Sequence, residues 1–265
     1  MTDKHVFIVT GAGSGIGAAT ARRLASAGHQ VVVAGRRPEP LAAIAAETGA
    51  LAVTGDAAEA DGANAVVAAA LDTYGRLDGL VLNAGVMIPG ALGETSAEDW
   101  DTVLRINLTG PALLAEAALV PLLAARGSVV AVSSVAGLRA PTGASAYAVS
   151  KAGLIMLTQT LAADYGAAGL RANAVCPGWV RTEMADQEMD DFAGHRGDRD
   201  AAYDQVTRLV PQRRAADATE IAEAVAWLLS PAASYVNGAV LPIDGGATVV
   251  DVGTSAYGFH IEPRG

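Results

Sequence analysis

Tyr147 and Lys151 stand four residues apart, and Lys151 is one of only two lysines in 265 residues. The other, Lys4, lies beside the N-terminus, and every remaining basic residue is arginine. Arginine is a rigid, permanently charged fork, whereas lysine is a compact point charge that tunes a neighbour and passes protons. On a helix, positions i and i+4 share one face. A cation beside a phenol favours phenolate, so the spacing predicts a Tyr147 pKa lowered toward neutrality and usable in acid–base chemistry. An ordinary surface helix pair has the same spacing, so the reading depends on what accompanies it.

Several groups accompany it. Gly11-Ala12-Gly13-Ser14-Gly15-Ile16-Gly17 follows the first apolar run and opens a helical pattern. Glycines allow a tight turn and close backbone approach, and a helix N-terminus offers free N–H groups to a pyrophosphate. The general G-x-G-x-x-G spacing is not met; T-G-x-x-x-G-x-G is. A residue reading the adenosine ribose belongs at the end of the second strand. Gly35 stands there, followed by Arg36 and Arg37 rather than a carboxylate. Guanidinium forks suit a 2′-phosphate, which favours NADP(H), with NAD(H) left open. Asp56 is a candidate acceptor for the adenine amino group or, alternatively, a strand-end turn residue. Asn83-Ala84-Gly85, Ser133-Ser134 and Pro177-Gly178 each close an apolar run, and Ser134 lies thirteen residues before Tyr147. Between the two serines, the spacing favours Ser134, with Ser133 turned back into the sheet.

The elements that must carry these residues alternate. Strand-like runs are read at 5–10, 30–34, 51–54, 77–82, 128–133, 171–176 and 239–243, and helical segments at 15–27, 40–47, 62–74, 97–125, 146–165 and 218–229. Short, nearly continuous apolar strands separated by helices predict an α/β fold. It is a Rossmann-type doubly wound parallel β-sheet of about seven strands, with helices on both faces and a ligand crevice at the strands' C-terminal ends. One domain spans residues 1–248. Residues 183–214 lack a clear sheet element and read as a lid, and 249–265 form a C-terminal tail.

With these pieces in place, the chain resembles the single-domain branch of the short-chain dehydrogenase/reductase family over residues 5–246. The resemblance rests on TGAGSGIG, NAG, the asparagine of Arg105-Ile106-Asn107, SS with YAVSK, CPGWVRT and DGG. It implies a catalytic set of Asn107, Ser134, Tyr147 and Lys151. In that set Tyr147 exchanges a proton with the carbonyl or alcohol oxygen, and Ser134 hydrogen-bonds that oxygen. Lys151 holds the nicotinamide ribose and tunes Tyr147, and Asn107 orders a relay water. Cofactor contacts are implied at Gly11, Ser14, Gly15, Ile16, Gly17, Arg36, Arg37, Asp56 and Ala57. They continue at Asn83, Ala84 and Gly85, then at Tyr147 and Lys151, and finally at Pro177, Gly178, Val180 and Thr182. Asp244-Gly245-Gly246 reads rather as a turn closing the sheet edge. In this family a longer Tyr–Lys separation belongs to enoyl-thioester reductases, so three intervening residues favour C=O over C=C chemistry. The implied activity is an NAD(P)-dependent carbonyl reductase or alcohol dehydrogenase for a secondary alcohol and its ketone. A polyol or sugar dehydrogenase, a 3-oxoacyl reductase, and a non-catalytic dinucleotide sensor or scaffold are the alternatives.

Composition narrows the partners. A net charge of −10 repels nucleic-acid phosphates. The apolar stretch 110–125 contains Glu116, Pro111 and Pro121 and is short for a membrane span. With the lone Cys176 and an opening without a signal pattern, the expected compartment is the cytoplasm. His5, His29, His195 and His260 have no metal-ligand spacing, so no metal is expected. Abundant alanine and glycine suggest a homo-oligomer, a tetramer or dimer, acting on a small-molecule alcohol or ketone. Met87, Trp179, Met184, Met189, Phe192 and Tyr203 are read as an apolar substrate wall or, equally, as lid packing. The acidic run Asp186, Glu188, Asp190, Asp191, Asp198 and Asp200 reads as a solvated face. Tyr257, Phe259 and His260 in the tail are read as reaching across a subunit interface.

Overall fold

Strands β1 (Val6–Thr10), β4 (Gly79–Leu82) and β5 (Ser128–Val132) are buried along their whole length, which is why they show no apolar–polar alternation. The computed structural model describes residues 4–193 and 198–251. The readings of His195, of the Phe192 side chain and of Tyr257, Phe259 and His260 lie outside the described residues. The remaining elements follow in chain order: α1 (Gly15–Ser26), β2 (Gln30–Gly35), α2 (Pro38–Thr48), β3 (Leu51–Thr54), α3 (Ala60–Tyr74), α4 (Ala97–Leu104), α5 (Gly110–Ala125), α6 (Ser145–Tyr165), β6 (Arg171–Pro177), β7 (Val180–Arg181), α7 (Glu183–Ala193), α8 (Arg199–Thr207), β8 (Ala216–Asp217), α9 (Ala218–Leu229) and β9 (Val240–Ile243).

Seven strands form one parallel sheet in the order β3-β2-β1-β4-β5-β6-β9. Neighbouring residues on a strand face opposite ways, and β1 divides accordingly. Ile8 joins a core with Leu80, Leu114 and Leu154 beneath α3, α5 and α6. Phe7 and Val9 join a second core with Leu24, Leu41 and Val225 beneath α1, α2 and α9. Edge strand β3 alternates between half-buried and exposed residues. The order reverses between β1 and β4, and that switch point opens a crevice beyond the strand ends.

Two elements depart from the sequence reading. The predicted helix 97–125 is continuous but contains one wide π-type turn, Arg105–Thr109, in which the Gly110 N–H donates to the Arg105 carbonyl. Pro111 has no N–H to give the Asn107 carbonyl, so the i→i+4 ladder has to slip there. Counted through that turn, the run is long and apolar enough by length and composition to cross a membrane, which the stretch 110–125 alone was not. Here Leu114, Ala115, Ala118 and Leu122 of the run pack into the core. The segment read as irregular is helical: α7 and α8 enclose a small core of Ala185, Met189, Ala202, Tyr203 and Ala215, with Trp179 against it. β7 and β8 pair separately at its base.

Candidate active site

The crevice begins at the glycine turn. Gly17 admits no side chain, since a Cβ there would collide with the Gly11 carbonyl oxygen and the Asn83 amide. That amide staples the turn across the switch point, with Asn83 Nδ2 donating to the carbonyls of Thr10 (2.8 Å) and Gly11 (3.3 Å). Thr10 Oγ1 in turn donates to the Val81 carbonyl and accepts from the N–H groups of Asn83 and Ala84. Ser14 stands before α1 without making a side-chain capping bond, and the first turn of α1 holds no acidic residue. Its leading N–H groups are left for an anion. A cavity beside this turn is lined by Gly11, Arg36, Asp56, Ala57, Ala84 and Gly85. The cradle fits the phosphates of a dinucleotide, with Arg36 at its adenosine end.

Four side chains converge at the neighbouring strand ends. The π-type turn aims the fully buried Asn107 at the loop after β4. Its Oδ1 accepts from Val86 N–H at 2.8 Å, and its Nδ2 donates to the Val86 carbonyl (2.8 Å) and Ser150 Oγ (3.0 Å). A Cβ on Gly85 would lie 3.3 Å from both Asn107 Oδ1 and Lys151 Nζ. Glycine there leaves room for both side chains beneath the loop. Lys151, on α6, is buried and donates from Nζ to the Val132 carbonyl at 2.9 Å, with Nζ 5.6 Å from the centre of the Tyr147 ring. Ser133 is buried and donates to the Lys151 carbonyl at 2.8 Å, a structural bond. Ser134 follows the end of β5, where its hydroxyl accepts from Ala136 N–H and acts on the Tyr147 phenol to hold its pKa down.

The charge states correct the sequence reading. Burial pushes the Tyr147 phenol up to about 12, against a lowering hydrogen bond from Ser134 and a further rise from the charge of Glu188. Burial also brings Lys151 down to about 8. Lysine proximity therefore does not lower the tyrosine here. Desolvation dominates both groups, and the ammonium is turned to a carbonyl of β5. At neutral pH the pair is a neutral phenol beside a mostly protonated amine, which is a proton donor backed by a reserve.

Other predicted residues are distributed differently. Arg37 leaves the cavity to pair with Glu183. Asp56 lines the cavity, but its carboxylate accepts from Ala58 N–H and pairs with Arg105 at 3.2 Å, closer to the turn alternative. Ile16 packs on the core below. The Val180 side chain is buried in that core too, which leaves only its main chain to face a cofactor. Thr182 touches Gly15 and accepts from Ala185 N–H at the start of α7. Gly178 donates to the Ile243 carbonyl after Pro177 ends β6. Asp244 holds the N–H groups of Gly246 and Thr248, as a turn should.

Of the two readings given to Met189 and Tyr203, substrate wall or lid packing, the second holds: they are the buried centre of the lid. The acidic run is not simply solvated. Asp186 and Asp190 pair with Arg199, Asp200 pairs with Arg181, and Asp198 caps α8. Glu188 is half-buried, held above the usual carboxylate range by burial and by Asp191, and its charge reaches Tyr147. Sequence reasoning passed over Ser150, took Glu188 for part of a solvated face and Thr10 only for the start of the glycine motif, because their positions carry ordinary polar residues and only the fold turns them inward. Among the described residues no cluster of His, Cys, Asp or Glu is arranged to hold a metal.

Comparison with known proteins finds likenesses along most of the chain. A family model described as Enoyl-(Acyl carrier protein) reductase matches residues 11–248. The cis-4-hydroxycyclohexanecarboxylate dehydrogenase of Sinomonas cyclohexanicum is 40% identical over 93% of this chain and 98% of its own. The meso-2,3-butanediol dehydrogenase of Serratia marcescens is 35% identical over 94% and 96%. The crystal structure of an actinorhodin polyketide ketoreductase with NADPH superposes with a TM-score of 0.88 at 35% identity, covering 93% of this chain and 98% of that one.

Proposed function

The chain belongs to the short-chain dehydrogenase/reductase family, and from that premise we propose how it acts as an oxidoreductase interconverting a secondary alcohol and a ketone with a nicotinamide dinucleotide. The dinucleotide supplies or takes the hydride. Its phosphates would lie on the glycine turn at Gly11, Ser14, Gly15 and Gly17, with Asn83, Ala84 and Gly85 along the adenosine ribose. Pro177, Gly178 and Thr182 would flank the nicotinamide, and Lys151 would hold its ribose.

Tyr147 gives its phenolic proton to the carbonyl oxygen in reduction and takes one back in oxidation. Ser134 binds the same oxygen and stabilises its developing charge. Lys151 supplies the replacement proton, and Asn107 holds the Val86 loop and α6 in register around it. The observation that carries this reading is the meeting of a neutral phenol, a hydroxyl and a buried ammonium at the C-terminal edge of β5. Three residues between Tyr147 and Lys151 support C=O chemistry, as do relatives named for hydroxycyclohexanecarboxylate and butanediol. Small, largely apolar alcohols and ketones are the proposed substrates, with turnover in the cytoplasm by a homo-oligomer.

NADP(H) is the proposed cofactor, because Arg36 lines the cavity where a carboxylate would repel a 2′-phosphate. The test is a panel of alcohols and ketones followed by nicotinamide absorbance with both cofactors. Tyr147→Phe should abolish turnover and leave cofactor binding intact; retained turnover removes the phenol from the reaction. Arg36→Ala should weaken NADPH binding by about 1.5–3 kcal/mol, roughly tenfold to a hundredfold, and spare NADH. Equal losses for both cofactors would reverse the assignment.

A further inference from the structure

Arg37 and Arg36 are neighbours in sequence with different partners. Arg36 faces the cavity. Arg37 offers its fork to Glu183, the first residue of lid helix α7, with Nη1 to Oε1 at 3.0 Å and Nη2 to Oε2 at 2.8 Å. The same Nη2 donates to Ser14 Oγ at 3.0 Å. One guanidinium therefore joins the end of β2, the glycine turn and the first residue of the lid. The residue just before the lid meets the same turn, since Thr182 packs on Gly15.

The Arg37–Glu183 pair is 55% and 62% exposed. Exposed pairs contribute little net free energy and are readily exchanged. A phosphate presents the bidentate geometry of a carboxylate with more charge, so it competes for the same fork. Whatever takes Arg37 also removes the lid's polar tie to the cofactor end.

We infer that Glu183 is a specificity-determining residue for the cofactor: by occupying Arg37 it withholds the second guanidinium from a 2′-phosphate. This rests on the reading of Arg36 as facing that phosphate. Two consecutive arginines after β2 would by themselves favour NADP(H) strongly. With Arg37 engaged, discrimination falls mainly to Arg36, and NAD(H) remains a usable partner. Binding of the phosphorylated cofactor is thereby coupled to the seating of α7, because the two share one cation.

The test measures kcat/KM and the dissociation constants of NADPH and NADH, the latter from reduced-nicotinamide fluorescence. It compares the wild type, Glu183→Gln, Arg37→Ala and the double variant. Glu183→Gln should raise the NADPH-over-NADH ratio roughly fivefold, chiefly through tighter NADPH binding. Arg37→Ala in that background should remove the gain. An unmoved ratio, an equal shift for both cofactors, or a gain that survives loss of Arg37 would each overturn the inference, an equal shift marking Glu183 as a lid anchor only. The cofactor reading fails separately, on an Arg36→Ala variant whose NADPH binding is unchanged. Glu183→Gln can still move the ratio in such an enzyme.

Discussion

Tyr147 and Lys151 titrate in the reverse of the order that their spacing predicts, because Lys151 is buried and Tyr147, half-buried, has a desolvated phenol, and only the lysine is near its working pH. Tyr147 stays neutral up to about 12, while Lys151 sheds its proton near 8. Going alkaline, the lysine therefore titrates first. Ketone reduction at saturating cofactor should hold below about pH 8 and decline above it, as the proton reserve empties. Oxidation should rise over the same interval, since it needs a route for the proton to leave. A reduction profile level to pH 10 would remove Lys151 from the proton path. Glu188 adds a second handle. Its negative charge raises the phenol, so Glu188→Gln should move the second, phenol-dependent limb at higher pH toward lower pH and leave the Lys151 limb near about pH 8 where it is. An unshifted profile would show that the lid carboxylate does not act on Tyr147.

Elements set those environments, and they differ in how plainly the sequence announces them. β1, β4 and β5 are legible because strands buried on both faces are unbroken apolar runs, and their ends fall within two residues of the reading. The π-type turn is not legible, since one slipped residue barely changes an apolar period. It nevertheless aims Asn107, whose three hydrogen bonds hold the Val86 main chain and Ser150. Asn107→Ala would leave buried partners unpaired at about 1–3 kcal/mol each. A fall in Tm of roughly 5–15 °C should follow, with turnover lost in step, and an unchanged Tm would show that water replaces the side chain. Helix α8 hid for another reason: it is polar, and Tyr203 and its arginine–carboxylate pairs hold it rather than an apolar stripe. The Tyr203 phenol donates to Asp186 at 2.8 Å while its ring lies under Arg181. Tyr203→Ala removes a buried aromatic side chain, at about 3–5 kcal/mol, from a core separate from the main ones. Hydrogen exchange should therefore accelerate across 183–207 and KM for the ketone should rise, while exchange in β1 and β5 stays protected. Faster exchange throughout would mean that the lid and body unfold as one.

At the scale of the whole molecule, the motifs at Gly11, Asn83, Ser134 and Pro177 were legible because each sits at a strand end, and a doubly wound sheet gathers such ends on one edge. What covers the outside was not, because alanine-rich helices look alike on either face. Helix α6 carries Lys151 inward and leaves Val149 and Met156 outward, 49% and 58% exposed and seven residues apart on one face, while Val120 of α5 is 77% exposed. Apolar side chains aligned in this way on a catalytic helix are suited to a second copy of the chain. Such a contact would brace from outside the helix that positions Tyr147. Combining Val149→Asp with Met156→Glu puts like charges on that face. The variant should sediment as a smaller species at micromolar concentration, and its Tm should lose the concentration dependence that assembly confers. Turnover should fall several-fold without loss of the strand core, because α6 would keep its inner packing and lose only its outer support. A wild type that already sediments as a monomer, or a double variant that still assembles, would mean that this face is not the interface. In either case the rigidity of α6 would have to come from its inner contacts alone, among them Leu154, Ile155 and Ala162, which pack it onto the sheet.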